Sequence, residues 1–365
     1  MKTALLAIAA SGLLLSMAAC STGTDEEAVS DENAVHANPC GNGVRDTGEQ
    51  CDDGNHDNLD GCSATCEFEQ VQRMNSIAMQ FNTDSFCTSN AIGGAIKSVA
   101  QSQISDALNG AVNDGSMSIL LASSNATDPT GVNGTFSLSS YTGAPVNAGQ
   151  LGLDAVFTAS KSSLAADLTP LVSMAATSSS STLSSGPGNV SFSLALAGPP
   201  VDMSLSNARL RATVGAASAP GGHLASEHLD PNLKTFATLT NGQMCGDISA
   251  ASLAGMPVPE QLTSGSTSCS QGYTQANSML DVIVGGCKVF IVTALGATQP
   301  DKQAGNAPVA GAGAPYKLTT TGNKVTGCKD KSGASVDLNT CLKSASYSAA
   351  FKFTSQRVAV RGTSD

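Results

Sequence analysis

The sequence predicts a mainly β protein with a few helices: an antiparallel, sandwich-like domain preceded by a small disulfide-rich module. Three observations carry that expectation. Short apolar–polar alternations recur from residue 117 onward, as in Val190-Ser191-Phe192-Ser193-Leu194, with the period of a half-buried strand. Turns rich in glycine and serine separate them, the spacing of a sandwich. Four cysteines also crowd into residues 40–66, CGNGVRDTGEQCDDGNHDNLDGCSATC, among very few apolar side chains. Such a stretch needs cross-links because it cannot build a core.

The chain starts MKTALLAIAASGLLLSMAAC, with Lys2 ahead of an apolar run from Ala4 to Ala19. That run is shorter than the ~20 residues that span a bilayer, and its small residues at the end mark residues 1–19 as an export signal. Met17-Ala18-Ala19-Cys20 resembles the bacterial lipobox, which implies that Cys20 becomes the acylated first residue of the mature chain. Ser21 follows, and by resemblance to known sorting signals implies passage to the outer membrane or cell surface. The membrane is then a partner through the lipid, since acyl chains contribute about 0.8 kcal/mol per buried methylene.

Residues 20–39 read as an acidic tether. STGTDEEAVSDENAVHANP carries five carboxylates and no apolar period, so it buries too little to order itself. Its random-coil reach is ~25 Å.

Charge divides sharply along the chain. Residues 21–70 hold thirteen acidic side chains against Arg45 alone, whereas residues 71–365 hold sixteen of each sign. The net charge of −11 therefore belongs to the N-terminal arm. Without basic clusters the composition excludes nucleic acid, whose binding rests on neutralised phosphates, and a polybasic membrane contact.

Residues 40–69 form the cysteine-rich module. Cys40-Gly41-Asn42-Gly43, Gly48-Glu49-Gln50-Cys51-Asp52-Asp53-Gly54-Asn55 and Asp60-Gly61-Cys62-Ser63, closing at Cys66, resemble a short cysteine-rich repeat of myxobacterial surface proteins. The family often has glycine where this chain has Leu59. The resemblance implies a secreted extracellular module and no catalysis. Two bridges are expected, in any of three pairings.

Within the module Asp52, Asp53, Asp57 and Asp60 lie close together beside Asn55. Like charges at 4 Å repel by about 4 kcal/mol at an effective dielectric of 20. Either they splay into water, as acidic turns do, or calcium gathers them with backbone carbonyls. An EF-hand is excluded, because Asn58 and Ala64 stand where its glycine and bidentate glutamate belong.

Residues 70–365 form the β-rich domain, near the upper size for one core. Residues 89–115 space Ile92, Ile96, Val99, Ile104, Leu108 and Val112 as one helix, and Ser270–Ile283 suggests a second. Strands are expected at 117–122, 134–140, 151–160, 190–196, 201–205, 210–214, 289–295, 316–325 and 347–355. The serine run of residues 172–188 reads as an exposed loop that subdivides the domain. Besides Cys20 the chain has an even set of ten cysteines: Cys40, Cys51, Cys62, Cys66, Cys87, Cys245, Cys269, Cys287, Cys328 and Cys341. Five disulfides in an oxidising compartment is the economical reading, with Cys328 and Cys341 closing a hairpin loop.

The one histidine constellation is GHLASEHLDP, with His223, Glu227, His228 and Asp230 as ligand types for zinc. On a helix the two histidines would stand about 140° apart, so a loop would have to gather them. No nucleophile elbow, P-loop or dinucleotide fingerprint occurs. The expected function is thus a non-catalytic structural or recognition role at the cell surface, toward an unknown extracellular partner. The alternative is a metal-dependent hydrolase built on residues 223–230.

Overall fold

The computed structural model describes residues 40–364 apart from 97–100, 195–200, 223, 259–276, 290–291, 296 and 304–315. The export signal, Cys20, the tether and His223 thus lie outside the described residues. Residues 38–365 make one compact unit. Among the described residues no helix is long and apolar enough to cross a membrane.

Beyond the module, β1 (Gln70–Met79) leads through α1 (Ala91–Ile96) and α2 (Gln101–Asp114) to β2 (Ile119–Ser124), β3 (Gly134–Pro145) and the short β4 (Val156–Ser160). Then come β5 (Ser173–Ser179), β6 (Thr182–Leu194), β7 (Val201–Val214), the two-residue β8 (Ala217–Ser218) and β9 (Thr235–Phe236), and β10 (Thr238–Ser249). A smaller lobe follows, with α3 (Ala250–Gly255), α4 (Met279–Gly285), β11 (Cys287–Val289), β12 (Val292–Leu295), β13 (Lys302–Gln303), β14 (Tyr316–Thr321), β15 (Lys324–Asp330), β16 (Ser335–Val336) and α5 (Leu338–Ser344). The long β17 (Ala345–Ser364) returns to the sheet.

The protein is mainly β, and its sheet closes on itself. Pairing runs β1–β2–β3–β5–β6–β7–β10–β17 and back to β1, antiparallel throughout. The two layers of the expected sandwich are one sheet joined at both margins, which removes the edges that invite aggregation. β4 leaves the ring. It pairs parallel with the end of β17 and antiparallel with the end of β3, forming a flap over β1 and β2.

The inward faces fill the barrel. Leu121, Leu138, Met174, Leu183, Phe192, Leu205, Leu210, Met244 and Phe351 belong to one buried cluster, joined by Ile104, Leu108 and Val112 of α2. Phe192 meets Phe351 edge to face at 6.1 Å between ring centroids, a favoured aromatic geometry. A second cluster, including Val71, Leu120, Tyr141, Phe157 and Val358, lies beneath the β4 flap. Covering the outer face of β1 and β2 there turns polar-out positions apolar.

Several expected elements change. The serine run of 172–188 is no loop: β5 and β6 occupy it, joined by a turn at Ser180 and Ser181 with φ of 48° and 62°. Met174, Ala176 and Ser178 alternate inward there, a period the small side chains conceal. The expected strands at 201–205 and 210–214 are one strand. Asn207 sits at φ 51° where the register shifts, and this bulge re-phases the alternation so that Leu205 and Ala208 both face in.

The strand expected at 316–325 is a hairpin turning at Gly322, φ 62°, and that at 289–295 is likewise a hairpin. The strand expected from 151 starts at Val156. The helix of 89–115 is described as two segments, with 97–100 outside the described residues. Of the helix expected at 270–283, residues 270–276 lie outside the described residues, and the helix starts at Met279 behind its N-cap Ser278.

Candidate functional site

The module is organised around one carboxylate. Asp52 is fully buried, and its Oδ2 accepts from the N–H groups of Gly41 at 2.8 Å and Asn42 at 3.2 Å. Its Oδ1 accepts from Gly43 at 2.8 Å and Gly54 at 2.9 Å. Burial pushes its pKa up, but the four donors together outweigh this and hold it below the ordinary 3.8, as hydrogen bonding to the charged form does. Glycine is required where the chain wraps the carboxylate. At Gly41, φ 83°, an added Cβ would stand 2.4 Å from the Asn55 carbonyl oxygen. Two disulfides clamp the wrap, Cys40–Cys66 and, nested within it, Cys51–Cys62.

The module is seated on the barrel domain along both its flanks. On one side Cys51, Cys62, Cys66 and Phe68 pack with Leu233, Leu224 and Leu229. Backbone bonds lock this contact: Asp52 N–H donates to the His228 carbonyl at 3.0 Å, and Asp230 N–H to that of Gln50 at 2.9 Å. On the other side Leu59 enters the cluster under the β4 flap. It does so with φ 69°, a left-handed conformation that an L side chain resists and glycine adopts freely. Leu59 is therefore an anchor of the module on the barrel domain. Glu69 clamps the same loop, accepting from Leu59 N–H at 2.6 Å and Gly61 N–H at 2.8 Å. Burial is the main reason its pKa is raised to about 7.

The five residues of the calcium reading separate into roles. Asp52 faces inward with both oxygens occupied. Asn55 Oδ1 accepts from Asp57 N–H at 2.5 Å, and Asn55 Nδ2 donates to Asp60 Oδ2 at 2.9 Å. Asp57 is exposed. Asp53 and Asp60 stand together: burial, a shared hydrogen bond and the charge of Asp60 raise the Asp53 pKa to about 6. Among the described residues, one group of three ligand-type atoms converges within 4.8 Å: Glu49, Asp52 and Cys66. The Cys66 sulfur is spent in its disulfide and Asp52 on its backbone donors.

The histidine segment serves as the module's seat. Ser226–His228 forms a single 3₁₀ turn, Glu227 is exposed, and Asp230 Oδ1 caps the N–H of Asn232 at 2.9 Å. Glu227, His228 and Asp230 do not converge as a metal set; His223 lies outside the described residues.

Two buried arginines escaped the sequence reading. Arg357, 1% exposed, grips Asp154 through Nε at 2.6 Å and Nη2 at 3.0 Å. It also donates to the Ser218, Ala219 and Thr235 carbonyls, tying β17 to the loop before β4 and to the β8–β9 ladder. Arg73 lies over the Phe157 ring at 5.4 Å and donates to the Val112 carbonyl of α2. Two more disulfides tie the domain: Cys87–Cys245 joins the loop after β1 to β10, and Cys328–Cys341 joins β15 to α5. Cys269 and the Cys287 side chain are outside the described set.

Fold and site together define a closed antiparallel barrel carrying a cross-linked N-terminal module. No protein-family model, curated protein or solved structure matches the chain.

Proposed function

We propose that this protein is an extracytoplasmic lipoprotein, anchored through Cys20, whose module and barrel serve a non-catalytic structural or recognition role at the cell surface. The observation that carries the reading is that all eight described cysteine side chains are paired, in four disulfides spread over both regions. Such pairing is at home in an oxidising compartment and rare in the cytosol. The absorption of the histidine segment into the module's seat also favours a scaffold over a metal hydrolase.

Intact-mass spectrometry of membrane-extracted protein tests the anchor. The mature chain should begin at Cys20 with its acyl groups, and Cys20→Ala should move the protein to the soluble fraction. Unmodified protein with free thiols, recovered from the cytosol, would overturn the proposal. Stoichiometric zinc in the purified protein would instead favour the hydrolase. Calcium in the acidic loop rests on Asp53 and Asp60. Millimolar calcium giving neither heat nor a change in melting would remove it.

A further inference from the structure

Across β1, β17, β10 and β7 the outward face of the barrel carries a groove of about 620 Å³. The ladders set its lining. Ala78 pairs with Lys352, Lys352 with Gln243 and Gln243 with Arg211, making one row over the four strands. Ser76 pairs with Thr354 in the next row. Their strand neighbours Ile77, Phe351, Phe353, Met244 and Leu210 belong to the buried cluster, so by alternation this set points out of the barrel. At the groove β10 bulges. Its register shifts between Leu239 and Gly242 against β17 and between Thr240 and Gln243 against β7, with Asn241 at φ 50°. Such bulges bend the strand and re-aim side chains.

The lining specifies the ligand by charge and polarity. It contains Arg211 and Lys352 and no carboxylate, on a chain whose net charge is −11. Among the described residues neither cation forms an ion pair. Arg211 is nevertheless held in place: its guanidinium lies over the Phe86 ring at 4.6 Å, and its Nη2 donates to Gln243 Oε1 at 2.6 Å. Gln243 is steadied in turn by Asp84 Oδ2, while Asp84 Oδ1 accepts from the Phe86 and Cys87 N–H groups at 2.8 and 2.7 Å. A fixed guanidinium with most of its five N–H groups unused suits a planar carboxylate. Apart from Ala78, the outward lining offers only hydroxyls, amides and cations, so an apolar ligand gains little there by burial. With the sheet closed, a peptide finds no strand edge to pair with. Arg211 and Lys352 stand two strands apart, about 10 Å between their backbones, which suits an extended ligand charged at intervals.

We propose that the groove binds a segment of an acidic polysaccharide, with uronate carboxylates on Arg211 and Lys352 and sugar hydroxyls on Ser76, Thr354 and Thr213. The assignment deepens the recognition role proposed above and rests on it for its setting, while the binding itself does not require the lipid.

Trigalacturonate is the probe, titrated into the full mature protein by NMR and calorimetry. Binding with Kd on the order of 1 mM is expected, weakening as salt rises from about 20 to about 200 mM. Maltotriose, which lacks the carboxylates, and triglutamate, which carries the same net charge on a peptide, should each bind at least about tenfold more weakly. Arg211→Gln should weaken trigalacturonate about tenfold. Because Arg211 also packs on Phe86, Lys352→Gln is the second variant. Lys352 is exposed, so its replacement should leave the melting temperature unchanged while weakening binding about threefold. Lys324→Gln, an exposed change in the smaller lobe, should alter neither. Trigalacturonate failing to bind at about 50 mM, maltotriose or triglutamate binding equally well, or either groove variant leaving affinity intact would each overturn the proposal. Such a failure would leave the anchored reading standing, because the mass of the mature N-terminus decides that.

Discussion

The module and the barrel reach stability by opposite means. The barrel closes its sheet around one large apolar cluster, so it is held by the burial of surface that an unfolded chain exposes to water. The module has almost nothing to bury except its own cystines and Phe68. Its two disulfides restrict the unfolded chain, and Asp52 supplies from inside the acceptors that its turns need. A short chain rich in glycine and acid can thus be ordered by cross-links and one buried charge. It still leans on its neighbour, which provides Leu229, Leu233 and the pocket for Leu59.

The sharpest way to break this contrast is on the barrel side. Arg357→Ala leaves Asp154 without its partner and several carbonyls without a donor. It should cost about 3–5 kcal/mol, seen as a fall in the urea midpoint for the whole domain. A loss confined to module amides in hydrogen exchange would show that Arg357 does not hold the ring. Next in size, replacing Cys51 and Cys62 together by serine should cost about 3 kcal/mol. That loss should fall on module amides while those of β6 and β7 keep their protection.

Leu59→Gly sets the two regions against each other. The backbone gains about 1 kcal/mol by losing its left-handed strain, while removing a buried leucine costs about 2–5 kcal/mol. The expected result is a net loss of about 1–4 kcal/mol, with faster exchange at Gly61 and Glu69. A net gain would mean that the module does not need this anchor.

The smallest effect is on pH dependence. Asp53 and Glu69 titrate near 6 and 7 in the fold, against ordinary values of 3.8 and 4.5. Across that window the folded module binds more protons than the unfolded chain, so it gains stability as pH falls from 7 toward 4.5. Below 3.8 the sign reverses: Asp52, held below its ordinary value, contributes stability that disappears as it is protonated. Module exchange should therefore be slowest near pH 4–5 once corrected for intrinsic rates. A steady rise in protection toward pH 7.5 would contradict this.

Much of the fold was legible because strand periods are local. Val190 and Phe192, or Leu210, Ala212 and Val214, announce their inward face within a few residues, and α2 shows its stripe at Ile104, Leu108 and Val112. The serine run failed for a specific reason. Met174, Ala176 and Ser178 alternate with small polar residues too weakly for the period to stand out, and only the ladders to β3 and β6 make them a strand. The site was less legible. Leu59 was visible in the sequence only as a leucine in a glycine-rich acidic loop, and its meaning required the cluster it enters. The histidine segment drew attention as chemistry, whereas its backbone and its leucines do the work.

By itself, the sequence determined the β-rich class and the need for cross-links at the N-terminal end. Both follow from short-range constraints: side-chain alternation and local apolar content. The tertiary structure alone decided that the sheet closes, how the cysteines other than Cys328 and Cys341 pair and where the module sits. Those outcomes depend on contacts between distant residues, such as Arg357 with Asp154 or Asp52 with His228. No local pattern encodes such contacts, because their energy exists only once both partners have left water together.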